Sequence, residues 1–327
     1  MDKKVKVGLI GFGYWGPNLA RNFEASALYD LTWIADVSPG ARELAQKTYP
    51  QAKTVPNYQD ILRDKEVELI VVATPPSSHY EICKDALYAD KHVFAEKPLA
   101  TRSDHAQDLI NIANKAGKIL AVDNTFLYSG PVRKLKEVFD SGEIGKPYFI
   151  HAERLNIEKL RRPDVNAFWD LAIHDISILD YLFNGTLPTN VAGDGQGYTD
   201  GYPREFGSLF LRYPGKVTAQ ITASWLLPQK SRKMTIVGDR KTLYFDDTHP
   251  TEKIKLIDRD ISGEGKGDCS VIPVENKESL QAEIEELYRA VRGGHKLPSM
   301  GEDGLRIIKI LEAADESIIK RKDVRLY

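Results

Sequence analysis

Val5-Lys6-Val7-Gly8-Leu9-Ile10-Gly11-Phe12-Gly13-Tyr14-Trp15-Gly16 is the stretch that decides the fold. A largely apolar, β-branched run ends in a turn of the form G-x-G-x-x-G, and a helical pattern opens at Gly16. In such a turn Gly11 permits the tight bend, Gly13 lets a pyrophosphate approach the backbone, and Gly16 allows the helix to pack close to the strand. Amides at the helix start meet the phosphate charge. Phe12, Tyr14 and Trp15 ride in the same turn and are expected to share its cofactor contact. Asp36, 20 residues past Gly16 at the end of the next strand-like run, completes the pattern. Its carboxylate can accept from ribose hydroxyls and repels a 2′-phosphate, which favours NAD over NADP. A plain strand-to-helix turn with a solvated Asp36 would need all four positions to coincide by accident.

Further runs lie outward from this turn, at 31–35, 69–73, 92–95 and 119–122, each near-continuous in apolar residues and separated by helical patterns. That grammar marks a parallel sheet covered on both faces, so residues 1–123 are expected to form a doubly wound Rossmann domain. Ser78-His79-Tyr80-Glu81 has capping-box spacing and predicts a helix over 80–89; a second helix runs from about Ser103 to Gly117. Ligands collect outside the carboxyl ends of strands in such sheets. Thr74, Pro75 and Pro76, with His79 just beyond, are therefore candidate cofactor contacts, as is Glu96 at the end of the 92–95 run.

After Asn124 the pattern changes. A helix over 132–139, a strand over 148–155, a helix over 168–183 and long alternating strands at 208–213 and 217–225 lead to a hairpin around Asp239-Arg240-Lys241. Residues 258–277 read as an exposed Gly- and charge-rich loop, and helices over 278–292 and 302–320 follow. Residues 124–327 are expected to form an α+β domain with a large, mostly antiparallel sheet. The overall class is α/β.

Two places carry chemistry. Lys97, in Glu96-Lys97-Pro98, sits at the ligand edge of the sheet, and the proline after it restricts its backbone to an extended form. Asp170 and His174 stand four residues apart in the 168–183 helix, which puts an acid and an imidazole on one face. Asp175 points elsewhere, toward a cap, solvent or another partner. Imidazole suits proton transfer at neutral pH, and a lysine cation would favour a developing alkoxide.

Together Gly11 to Gly16, Glu96-Lys97-Pro98 and Asp170 to His174 make the chain similar to the Gfo/Idh/MocA family over essentially its whole length. The resemblance implies a Rossmann domain, a C-terminal domain whose open sheet is used for oligomers, and oxidation or reduction of a sugar carbon by NAD. It implies that Lys97 contacts the reacting hydroxyl and His174 is the acid/base, with Asp170 orienting His174 or binding a neighbouring hydroxyl. The spelling Gly13-Tyr14-Trp15-Gly16-Pro17-Asn18 and Trp169-Asp170-Leu171-Ala172 resembles the nucleotide-sugar branch, with oxidation at C3 of UDP-N-acetylglucosamine as the expected reaction. A diphosphate needs cations, and Arg154, Arg161 and Arg162 are the nearest candidates to the catalytic helix in sequence. The rival readings are an inositol or free-sugar dehydrogenase and a non-catalytic sugar or dinucleotide sensor, which would have no need of Lys97 and His174 together.

Composition narrows the partners. With 45 basic against 47 acidic residues the net charge is -2, which supplies no bulk field for nucleic acid or an anionic membrane. The chain shows no transmembrane-length apolar run, and Met1-Asp2-Lys3-Lys4 leads into a strand without a signal-peptide core; a cytoplasmic location is expected. Cys83 and Cys269 lack metal-ligand spacing and read as reduced, incidental thiols. No metal is expected. Thr218, Gln220, Thr222 and Ser224 alternate with Val217, Ala219, Ile221, Ala223 and Trp225, leaving one small, polar sheet face suited to a second copy.

Overall fold

The structure, a computed structural model, describes residues 3–157, 165–258, 267–275 and 277–326. Six strands form the first sheet: β1 (Val5–Ile10), β2 (Tyr29–Ala35), β3 (Lys53–Val55), β4 (Leu69–Val72), β5 (His92–Glu96) and β6 (Leu120–Asp123). Their order is β3-β2-β1-β4-β5-β6 and every pairing is parallel. This is the doubly wound Rossmann order, whose switch point lies between β1 and β4. Val5, Val7 and Leu9 of β1 and all four residues of β4 are buried, as strands covered on both faces must be. The crossovers carry α1 (Gly16–Ala25), α2 (Pro39–Thr48), α3 (Gln59–Leu62), α4 (Pro76–Tyr88) and α5 (Ser103–Ala116).

Two details differ from the sequence pattern. β3 has only three residues and none is buried, so it carries no apolar signature. α4 starts at Pro76, a residue suited to a first helical turn because its missing N–H has no partner to lose there. The Ser78 hydroxyl does not cap; it donates to Pro75 O and accepts from the Thr74 hydroxyl, each at 2.8 Å.

Among the described residues the second sheet has nine strands: β7 (Pro147–Ile157), β8 (Asn190–Gln196), β9 (Phe206–Arg212), β10 (Thr218–Ser224), β11 (Leu226–Gly238), β12 (Lys241–Asp246), β13 (Ile254–Asp258), β14 (Cys269–Ile272) and β15 (Val324–Arg325). The order is β14-β13-β12-β11-β7-β10-β9-β8-β15, antiparallel except for the central β7–β10 pair. In β10, Ala219, Ile221 and Ala223 are fully buried while Thr218, Gln220 and Thr222 are partly exposed, the alternation expected of a one-sided sheet. β14 falls inside the stretch read as a loop; three of its four residues are exposed, so it lacks apolar patterning. Helix α6 (Gly130–Asp140) precedes β7, α7 (Ile173–Leu182) follows a π-helical turn over Phe168–Ala172, and α8 (Ser279–Gly293) and α9 (Gly301–Lys320) come late in the chain.

The chain divides into two compact units, Met1–Thr125 with Glu278–Ile308, and Phe126–Lys277 with Lys309–Tyr327. A division at 123/124 carries no hint of the returning segment. Its cause is the apolar stripe of α8: Leu280, Ile284, Leu287 and Ala290 join the core that also holds Phe23 and Tyr29. The Tyr29 hydroxyl, buried with them, donates to Ile284 O at 2.7 Å. Among the described residues no helix is long and apolar enough to cross a membrane.

Candidate active site

In the first unit the glycine turn is built almost wholly from backbone. Gly11 has φ +98°, and a Cβ there would stand 2.5 Å from Ala73 O. A Cβ on Gly16 would stand 2.2 Å from Gly11 O, so this glycine closes the turn on itself as well as seating α1. Around Gly13 there is nothing within 4 Å, and this residue and Tyr14 are exposed. The turn therefore offers a bare backbone surface at the carboxyl end of β1.

Asp36 is fixed beside it. Its Oδ2 accepts the Phe12 N–H at 2.7 Å and its Oδ1 the Ser38 N–H at 2.8 Å. Arg42 Nη1 donates to Asp36 O at 2.8 Å. Each carboxylate oxygen has a second lone pair left for another donor.

Thr74, Pro75 and Pro76 form the connection from β4 into α4 at the same carboxyl edge. His79 is displaced from the role expected of it. It is fully buried, with its ring nitrogens 2.8 Å from Thr74 O and from Pro98 O. It braces the loop after β4 against the loop after β5 and presents no ring nitrogen to a ligand. Lys97 follows β5, is partly buried, and its N–H donates to Glu96 Oε2 at 2.9 Å; the Lys97–Pro98 peptide is cis. Trp15 is tied inward, its Nε1 donating to Asp123 Oδ2 at 2.9 Å. Burial, reinforced by the neighbouring Asp123 charge, holds the Glu96 carboxyl well above the usual carboxylate range.

The second unit positions Asp170 and His174 through side chains. Asn166 Oδ1 accepts the N–H groups of Phe168 at 2.9 Å and Trp169 at 3.3 Å and so caps the turn. Asp315 anchors this start, accepting from Asn166 Nδ2 at 3.0 Å and Trp169 Nε1 at 2.7 Å, with Arg204 also on it. The turn is π-helical over Phe168–Ala172, with the Ile173 N–H reaching back to Phe168 O. This one-residue widening lies within the segment that carries Asp170 and just before His174, and such turns recur at functional sites. Asp170 Oδ2 accepts from Trp225 Nε1 at 3.1 Å. His174 lies with its ring 4.9 Å from that of Phe126.

Arg154 is corrected by its surroundings. Only 2% exposed, it forks onto Asp175 through Nε at 2.8 Å and Nη2 at 3.0 Å and lies over the Phe126 ring. A guanidinium committed to a buried carboxylate is not a ready phosphate ligand; it braces the strand that carries it against α7. Arg161 and Arg162 lie outside the described residues. Sequence reasoning missed Phe126, the ring shared by His174, Arg154 and the less buried Arg232, because its neighbours come from three distant segments. It also missed Glu283, although an acid at i+3 between Leu280 and Ile284 in an apolar helical stripe is a legible anomaly.

Comparison with known proteins fits this geometry. Residues 5–124 match the family described as oxidoreductase family, NAD-binding Rossmann fold, and residues 132–244 match the GFO/IDH/MocA C-terminal domain. The chain belongs to the Gfo/Idh/MocA family. It is an oxidoreductase whose first domain is an NAD-binding Rossmann domain. It is similar to inositol 2-dehydrogenase of Salmonella typhimurium, 30% identical over 191 residues, 57% of this chain and 56% of that one. It is 24% identical over 314 residues to UDP-N-acetylglucosamine 3-dehydrogenase of Acidithiobacillus ferrooxidans, covering 93% and 94% of the two chains. Among solved structures, GenD2 from gentamicin A biosynthesis in complex with NAD has a TM-score of 0.87 at 19% identity, covering 100% of this chain and 97% of that one.

Proposed function

We propose that this oxidoreductase transfers a hydride between NAD and a secondary hydroxyl of a sugar or cyclitol. The observation that carries the reading is the position of Lys97 directly after β5, at the carboxyl edge of an NAD-binding sheet, where a cation has a reacting oxygen to stabilise. NAD supplies the hydride acceptor when bound. Gly11, Phe12, Gly13, Tyr14, Trp15 and Gly16 cradle its pyrophosphate, Asp36 takes the adenosine ribose hydroxyls, and Thr74, Pro75 and Pro76 border it. Lys97 holds the substrate hydroxyl and favours its developing negative charge. His174 accepts the hydroxyl proton on a ring nitrogen, and Asp170 orients it or holds a neighbouring hydroxyl.

As substrate we favour UDP-N-acetylglucosamine, oxidised at C3, on the branch spelling at Tyr14 to Asn18 and Trp169 to Ala172 and on the relative of that activity. The second reading, a cyclitol such as inositol, is favoured by the 30% relative and by the commitment of Arg154 to Asp175. The polar face of β10 is the surface we assign to a second copy of the chain. The test of substrate is NAD reduction by the purified protein with UDP-N-acetylglucosamine, myo-inositol, glucose and N-acetylglucosamine, with a trap for the keto product. Turnover with the UDP-sugar and little with the others is expected. Faster turnover of inositol or glucose than of every UDP-sugar overturns the nucleotide-sugar assignment.

A further inference from the structure

Glu283 is fully buried in the apolar stripe of α8; neither of its carboxyl oxygens accepts a hydrogen bond of good geometry among the described residues, although the Asn124 N–H is near enough to draw the group toward ionisation. A buried carboxylate so poorly supplied with donors is a costly arrangement in a protein. What it does meet is Asp123, at the end of β6 and itself 2% exposed, with Glu96 of β5 beside it. Three carboxyl groups from three elements thus meet, Asp123 and Glu283 buried and Glu96, the register partner of Asp123, partly so. Asp123 already receives two donors, Trp15 Nε1 on Oδ2 and the Thr125 hydroxyl on Oδ1. It has the lone pairs for two more.

We infer that the three carboxyl groups carry a single negative charge, resident on Asp123, and that Glu283 is a neutral positioning residue whose O–H donates to Asp123 and thereby holds Trp15 and the cofactor turn in place. The inference rests on the glycine turn being the cofactor site. The proton count closes: Asp123 accepts from Trp15, Thr125, Glu283 and Glu96, while the other Glu96 oxygen takes the Lys97 N–H. The groups facing the cluster are Trp15 from the turn, Glu96 and Lys97 from the end of β5, Asp123, Asn124 and Thr125 from β6 and its sequel, and Glu283 from α8. Lys97, the one cation among them, draws Glu96 back toward ionisation, whereas burial and Asp123 hold both glutamic acids well above the usual range. The returning segment of the chain thereby reaches the cofactor turn through one acid.

The sign of the pH effect follows. Unfolded, Glu283 ionises at about 4.3; folded, it keeps its proton to higher pH, so the folded state binds more protons and loses stability as pH rises through that window. Glutamine keeps a donor for Asp123 but does not titrate; leucine keeps the volume and removes the donor. Without cofactor, the thermal midpoint of the parent should fall between about pH 5 and pH 8 more steeply than that of Glu283→Gln. Parallel slopes overturn the shared charge. In direct NAD titrations at neutral pH, without substrate, Glu283→Leu should weaken binding about tenfold and Glu283→Gln should restore it. Equal affinity of the two variants overturns the positioning role, and if Glu283→Leu does not fold, loss of affinity in Glu283→Gln to the same extent as in Asp123→Asn does so. Should the parent itself not bind NAD, the cofactor-site reading fails, while the slopes still decide the shared charge.

Discussion

The two units hold their functional groups by opposite means. In the first, the glycine turn and Asp36 are secured by main-chain groups: Asp36 takes the N–H of Phe12 and of Ser38, and Gly11 is fitted against the backbone of Ala73. In the second, Asp170 and His174 are secured by side chains drawn from remote segments, Trp225 on Asp170, Phe126 against His174, and Asp315 under the start of the turn. A backbone-built site depends chiefly on local spacing and tolerates substitution around it except where a side chain ties it down, as Trp15 does on Asp123. A side-chain-built site fails through its supports.

The largest effect expected from this contrast is kinetic. His174→Asn and Lys97→Met should each lower kcat/KM by about 10²- to 10⁴-fold while NAD affinity measured by titration stays close to that of the parent. Near-normal turnover in either variant removes that residue from the proton and charge handling. Next is a support with no part in the proton and charge handling. Asp175→Ala leaves the Arg154 guanidinium buried without its carboxylate, and urea unfolding should show a loss of about 3–5 kcal/mol. A loss under about 1 kcal/mol would mean that the pair does not brace the second unit.

Legibility in the sequence follows the same line. Period and spacing were enough for the parallel sheet, for α5 with its Gly117 end, and for the turn with Asp36, since each is decided by neighbours in the chain. β3 and β14 escaped because exposed short strands carry no apolar alternation. Nothing local announces the π turn over Phe168–Ala172, which is pinned by Asp315 far along the chain. Arg154 reads as a candidate phosphate ligand because Asp175, 21 residues further along the chain, is its partner only in three dimensions. Glu283 alone could have been suspected, as a charge in an apolar stripe.

Asp36 tests the account most directly. Its two oxygens are already oriented by backbone N–H groups, and at the place where we propose that the adenosine ribose is read a carboxylate so fixed would repel a 2′-phosphate. Calorimetric titration of the purified protein with NAD and with NADP should give tighter binding of NAD by at least about tenfold, and Asp36→Ser should narrow that ratio. Binding of NADP as tight as or tighter than NAD in the parent protein would contradict the reading of the turn on which the rest is built.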